Sequence, residues 1–170
     1  MGYLSPVFTG ADIRFNKLTM AEFSLKEKIT ADMKVAMRAK EKQRLGVIRL
    51  IQAAIKQREV DERISLDDTQ IIVVLDKMLK QRRDSIEQYE KAGRQDLVDQ
   101  EAFEIQVIKT YLPQPLTETE LANLITQAIQ TTGATSVKDL GKVMGILKAQ
   151  VQGRTDMKQL SNQIKQRLNQ

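Results

Sequence analysis

Apolar side chains recur at three- and four-residue steps along almost all of the chain beyond residue 20, which is the spacing of one face of an α-helix. No stretch alternates between apolar and polar residues for long enough to be a convincing strand. Only eight of the 170 residues are glycine and three are proline, and this scarcity favours helices over a turn-rich β fold. We therefore predict an all-α protein.

Capping signals and glycines divide this pattern into separate helices. Ser24 with Glu27, and Thr117 with Glu120, fit capping boxes. Asp67 or Asp68 can cap a helix, and Thr155 can cap the last one. Glycines at 93, 133 and 153 are placed to end helices. The pattern predicts seven helices, at about 25–39, 42–60, 68–92, 97–111, 118–131, 136–152 and 156–168.

Pro113-Gln114-Pro115 is the one clear boundary in the chain, because proline restrains the preceding residue and stops a helix. It predicts a larger four-helix N-terminal unit over residues 20–112 and a smaller three-helix C-terminal unit over 113–170, joined by a proline-containing linker. Residues 1–19 show no clear periodicity and are predicted to be a flexible N-terminal extension.

The composition excludes several classes of function. The chain has no histidine and no cysteine, so the usual zinc sites and Ser-His-Asp or Cys-His catalysis are ruled out. No Walker-type loop and no GxGxxG occurs, and we predict no catalytic residues, metal or cofactor. No apolar run approaches the length of about 20 residues needed to span a bilayer, and the first 19 residues do not resemble a signal peptide. The predicted location is cytoplasmic.

Two glycines inside the helix predicted at 136–152 need an explanation. Gly141 and Gly145 fall on one arc of the helix together with Lys138, Lys142 and Lys148. Each glycine costs about 0.5–1 kcal/mol relative to alanine in a helix, so the pair suggests that something approaches the backbone closely. Three interpretations stay open, namely packing against a neighbouring helix of this chain, contact with a polyanion such as a phosphate chain, or contact with a protein partner.

A second basic stripe lies on the helix predicted at 42–60, where Lys42, Arg49 and Lys56 recur at seven-residue steps. A solvated helix face is the alternative, since Glu59 and Asp61 partly neutralise its far end. The net charge of +5 permits nucleic-acid binding without demonstrating it.

Four short motifs, in this order and spacing, resemble the GatB/YqeY family. They are Lys91-Ala92-Gly93-Arg94-Gln95-Asp96-Leu97, Tyr111-Leu112-Pro113, Asp139-Leu140-Gly141-Lys142-Val143-Met144-Gly145 and Gly153-Arg154-Thr155-Asp156. The resemblance implies an all-helical protein with a larger N-terminal and a smaller C-terminal helical unit. It also implies likeness to the tail of the B subunit of glutamyl/aspartyl-tRNA amidotransferase, which grips the body of tRNA.

From this resemblance we predict a non-catalytic tRNA-binding module. Lys138, Lys142 and Lys148 would contact phosphates, and Gly141 and Gly145 would allow close approach to A-form RNA, which proteins recognise largely by shape and backbone. The secondary candidates for phosphate contacts are Lys42, Arg49 and Lys56. The catalytic cradle of the amidotransferase is missing from this chain, so a carbon–nitrogen ligase activity would belong to the larger enzyme.

Two rival functions remain. In a protein-interaction module, Gly141 and Gly145 would seat a partner helix, and the acidic residues Asp99, Glu101 and Glu104 would contribute. Alternatively, the chain is an accessory subunit of a carbon–nitrogen ligase that uses glutamine as amido-N-donor, and acts only within that complex.

Overall fold

The computed structural model describes residues 23–169; the predicted extension at 1–19 lies outside them. Within the described part every regular element is helical, which confirms the all-α prediction. Seven α-helices and one short 3₁₀ turn follow one another along it. They are α1 (Leu25–Arg38), α2 (Lys42–Glu62), α3 (Asp68–Lys91), α4 (Gln95–Lys109), α5 (Glu118–Thr132), the 3₁₀ turn (Val137–Asp139), α6 (Leu140–Val151) and α7 (Met157–Leu168).

Most of the predicted helix ends are confirmed. Ser24 and Glu27 form a reciprocal capping box at α1, and Thr117 and Glu120 form one at α5. Asp67 caps α3 and exchanges bonds with Gln70, a pair that satisfies two amide donors at the start of the helix. Glycines 93, 133 and 153 all have positive φ, at 67°, 62° and 73°, and lie just beyond the ends of α3, α5 and α6.

Two predicted helix starts are wrong. The segment at 136–152 is not one helix, because it opens with the 3₁₀ turn before α6 begins at Leu140. The Asp139 carboxylate accepts bonds from the Thr135 backbone N–H and the Ser136 hydroxyl, and such local bonds compete with regular helix. At α7 the cap is Asp156 and not Thr155, since Asp156 Oδ1 accepts from the amides of Lys158 at 2.8 Å and Gln159 at 3.1 Å.

The first hydrophobic core lies among α1 to α4, where α3 packs along α4 and α1 along α2. Ile48, Ile51, Ile71, Leu75 and Ile108 are fully buried there. Tyr111, which follows α4, is also buried, and its hydroxyl donates to Asp32 of α1 at 2.9 Å. Phe103 of α4 is not part of this core, because 38% of it is exposed.

A second, separate core lies among α5, α6 and α7. The largest side chains of this core with no exposed surface are Ile125, Val143, Val151, Leu160 and Ile164. Leu140 and Met144 of α6 are partly buried and pack against this core. Of the helices between residues 23 and 169, none combines the length and apolar character that crossing a bilayer requires.

Candidate functional site

The glycine and lysine residues singled out on α6 and on the 3₁₀ turn before it are here called the glycine–lysine face. All five of its members are exposed: Lys138, Gly141, Lys142, Gly145 and Lys148. On the opposite side of the same helix Val143, Leu147 and Val151 are buried in the second core. A Cβ placed at Gly141 or Gly145 would have no neighbouring heavy atom within 4 Å among the residues that the structure describes. Packing against another helix between residues 23 and 169 therefore does not explain the glycine pair.

The lysines of this face differ in their electrostatic surroundings. Lys142 Nζ donates to Asp139 Oδ1 at 3.1 Å, and this bond, with the Thr135 amide, holds the pKa of Asp139 below its usual range. Within residues 23–169 no ion pair joins Lys138 or Lys148 to a carboxylate. The face thus has two cations that no acid of the described residues neutralises through an ion pair.

The second basic set lies on a different part of the molecule. Lys42, Arg49 and Lys56 are exposed on α2, which packs against α1, α3 and α4. Helix α6 packs instead against α5 and α7. The two basic sets therefore lie on helices that belong to separate cores.

The acidic residues predicted to form a surface patch are largely turned inward. Glu104 is buried, with 8% exposed, and lies 2.8 Å from Arg82 Nη2 of α3. Glu101 lies 3.4 Å from Arg82 Nε, and burial raises its pKa although Arg82 opposes that shift. Only Asp99 of the three is exposed. The Glu101 and Glu104 carboxylates thus share the Arg82 guanidinium between α3 and α4. These residues connect the two helices and do not form an acidic surface patch.

A junction between the two cores contains Asp76, to which no sequence pattern assigns a role. Asp76 of α3 accepts a bond of 3.0 Å from the Gly153 backbone N–H and a second from the Gln152 side chain. A Cβ at Gly153 would lie 2.6 Å from Ile72 Cγ2 and 3.2 Å from Leu112 Cδ2. Because φ is also positive at this residue, the turn can approach α3 this closely only with glycine.

Three further contacts hold the same junction. Arg83 Nη1 of α3 lies 2.5 Å from Asp156 Oδ2 at the start of α7. The proline linker is fastened by the Leu116 amide, which donates to the Arg154 carbonyl at 2.9 Å, and by Arg154 Nε, which donates to the Gln114 carbonyl at 3.0 Å. The motif Gly153-Arg154-Thr155-Asp156 was visible in the sequence, but Asp76 and Arg83 sit among ordinary helical charges and offered no signal.

Beside this junction lies a cleft of about 390 Å³, here called the inter-unit cleft. One wall is α3, and the other comprises the end of α6, the turn after it and the start of α7. Val73, which is 39% exposed, and Met157 supply apolar surface, while Lys77, Lys148 and Lys158 bring positive charge. Burial raises the pKa of Asp76 at the cleft wall, against the lowering effect of its two hydrogen bonds.

The sequence profile of the family described as "Yqey-like protein" matches residues 26–168, nearly all of the described structure. The chain belongs to the YqeY-like family. This confirms the family part of the predicted resemblance. The family's description names no chemical reaction.

Three curated relatives of this chain share one name. A protein of Lachancea thermotolerans is 36% identical over 118 residues, covering 65% of this chain and 63% of the relative. A protein of Pyrenophora tritici-repentis is 29% identical over 157 residues, covering 91% and 86%, and one of Saccharomyces cerevisiae is 29% identical over 143 residues, covering 76% and 77%. All three are named "Altered inheritance of mitochondria protein 41, mitochondrial". The chain spans less than two thirds of the Lachancea relative.

These names correct two predictions. The function predicted for this YqeY-like chain, a tRNA-binding module related to an amidotransferase tail or an accessory subunit of that ligase, is wrong, because the relatives are named for the inheritance of mitochondria. The two basic sets predicted to contact phosphates lie on helices of separate cores, and Lys142 is bonded to Asp139. The predicted cytoplasmic location is wrong as well, because the relatives are named mitochondrial proteins.

Proposed function

We propose that this chain is a non-catalytic helical adapter that serves the inheritance of mitochondria by binding a protein partner at its glycine–lysine face. The relatives' names support the mitochondrial setting. The observation that carries the proposal is the exposed glycine pair of α6, where an added Cβ would have no neighbour within 4 Å in the described part of the chain. The likeness to an amidotransferase tail stays a prediction.

Helix α6 contains two glycines although they lower its stability. Together they weaken the helix by about 1–2 kcal/mol relative to alanine, and nothing in the described structure uses the space they leave. Packed helices usually lie about 8–10 Å apart, and small residues at a crossing let the two backbones approach more closely. A helix of another protein would gain that close contact.

The surroundings of the glycine pair fit a protein helix. Ile146, next to Gly145, is 37% exposed and offers apolar contact to an incoming side chain. Lys138 and Lys148 lack acidic partners within residues 23–169, so a partner with acidic residues beside its apolar stripe would be favoured electrostatically. Catalysis has no support, because the chain carries neither histidine nor cysteine.

Site-specific photo-crosslinking in mitochondria tests this function. A photoreactive side chain at position 149, an exposed alanine beside the glycine pair, should form a crosslink to one defined protein. The same side chain at position 53, an exposed alanine of α2, is the matched control and should not. Equal crosslinking from both positions, or none from position 149, contradicts the proposal.

A second test links the face to the mitochondrial role. The chain, delivered to mitochondria of Saccharomyces cerevisiae cells that lack their relative, should restore normal inheritance of mitochondria. Gly141→Leu with Gly145→Leu should abolish this rescue. Gly46→Leu should preserve it, because Gly46 is an exposed glycine of α2 with equally open surroundings. Rescue by the α6 double variant would show that the glycine–lysine face is not the binding surface.

A further inference from the structure

We propose that the inter-unit cleft binds a small amphipathic anion, a carboxylate or phosphate head on an aliphatic chain. The site is distinct from the glycine–lysine face, although Lys148 borders both. The cleft volume of about 390 Å³ lies within the range of about 300–1,000 Å³ that is typical of small-ligand sites.

The charge of the ligand follows from which groups of the cleft are already engaged. Three of its four acids have partners within the chain, since Asp84 pairs with Lys80, Asp156 with Arg83, and Asp76 accepts from the Gly153 amide. The fourth, Glu87, has no ion pair within residues 23–169. A smaller share of its cations takes part in ion pairs. Among the ion pairs of residues 23–169 none includes Lys77, Lys148 or Lys158. A ligand with a negative head would meet three available ammonium groups.

The aliphatic part of the ligand follows from the apolar surface of the cleft. Val73 is an exposed valine on α3, and Met157 lies across the cleft at the start of α7. Lysine side chains extend this surface, because their methylene stems cover apolar contacts while the ammonium group stays in water. A head group alone would leave the valine exposed, whereas an alkyl chain would cover it.

The walls of the cleft are held in place before any ligand binds. The Arg83–Asp156 pair and the bond from the Gly153 amide to Asp76 both connect α3 to the opposite wall. A site whose walls are already fixed loses little conformational entropy on binding, which suits a small ligand with few contacts.

Calorimetric titration of the full chain tests the proposal with four probes. Octyl phosphate and octanoate represent the two possible heads, while 1-octanol and inorganic phosphate each lack one half of the ligand. We expect saturable one-to-one binding of at least one anionic amphipath, about tenfold or more tighter than 1-octanol, and stronger at low salt. The head that binds more tightly identifies the source of the anion.

Paired variants locate the binding. Lys77→Gln with Lys158→Gln should weaken binding of the preferred probe about tenfold, and Val73→Asn should weaken it by a similar factor. The matched control, Lys109→Gln with Lys165→Gln, removes two exposed lysines outside the cleft and should leave binding unchanged. Neither lysine pair belongs to the glycine–lysine face, so this result is independent of partner binding.

Four outcomes would overturn the proposal. They are the absence of saturable binding, equal affinity for 1-octanol, equal affinity for inorganic phosphate, and equal weakening by the control pair. Because the substituted side chains at 73, 77 and 158 are all exposed, unchanged helicity and melting of each variant should accompany the change in affinity.

Discussion

Asp76 and Gly153 are 77 residues apart in the chain and are joined by a hydrogen bond of 3.0 Å from the glycine amide to the carboxylate. The bond connects α3 of the first core to the turn that follows α6 of the second core. It holds the turn where Gly153 touches Ile72 and Leu112.

Gly153→Ala should destabilise the protein more than Gly93→Ala. Both glycines have positive φ, which costs an alanine about 1–2 kcal/mol. Only the Cβ at 153 would also collide with Ile72, at 2.6 Å, and overpacking adds about 1–3 kcal/mol. Urea unfolding of the two variants measures the difference. Equal loss of stability in both would show that the approach of the turn to α3 is not tight.

Asp76→Asn should change how stability depends on pH. Burial raises the folded-state pKa of Asp76 above that of the unfolded chain. The ionised form is therefore disfavoured by folding, and stability falls as pH rises through the folded pKa. An asparagine oxygen can still accept from the Gly153 amide, and it carries no charge.

The measurement is urea unfolding of wild type and Asp76→Asn between pH 4 and pH 7. The stability of the asparagine variant relative to wild type should improve as pH rises, because only wild type ionises at this position. A relative stability that is constant, or that declines with rising pH, contradicts the assignment of burial as the main cause of the shift.

Tyr111→Phe should lower stability by about 1 kcal/mol, the usual net contribution of a hydrogen bond. The variant keeps the buried ring and removes the donor to Asp32, which lies at 2.9 Å. Tyr89→Phe is a suitable control, because no hydrogen bond from the Tyr89 hydroxyl occurs in residues 23–169. Thermal unfolding that shows equal effects for both would exclude a structural role for the Tyr111–Asp32 bond.

Gly141→Ala with Gly145→Ala should raise stability by about 1–2 kcal/mol. The two glycines have helical geometry and open surroundings, so the methyl groups meet nothing and the unfolded chain loses freedom. Chemical denaturation measures the gain. A loss of stability would mean that the glycines serve the fold itself, and the argument for a partner would fail.

The helices could be predicted from the sequence because their signals are local. Helix starts are indicated within four residues by the capping boxes of Ser24 with Glu27 and Thr117 with Glu120. Helix ends are indicated by the glycines with positive φ. The glycine pair at 141 and 145 was visible for the same reason, but its meaning depended on whether another helix lies beside it. That question is decided by tertiary packing, which no local pattern encodes.

The junction could not be predicted because its partners are distant in sequence. Asp76 lies on α3, whose charge pattern is that of an ordinary solvated helix. Arg83 lies on the same helix, among lysines and acidic residues spaced four positions apart. Their roles arise only when the turn at Gly153 is folded against α3. Likewise Glu104 was expected in a surface patch, and its burial against Arg82 depends on how α3 and α4 pair.

Asp156 divides its carboxylate between two elements, with Oδ1 accepting from the first amides of α7 and Oδ2 meeting Arg83. Separation of the two cores and fraying of α7 are consequently parts of one event, because movement of this side chain disturbs both contacts. The amide protons of Lys158 and Gln159 should then exchange with solvent at a rate that reports opening of the cleft.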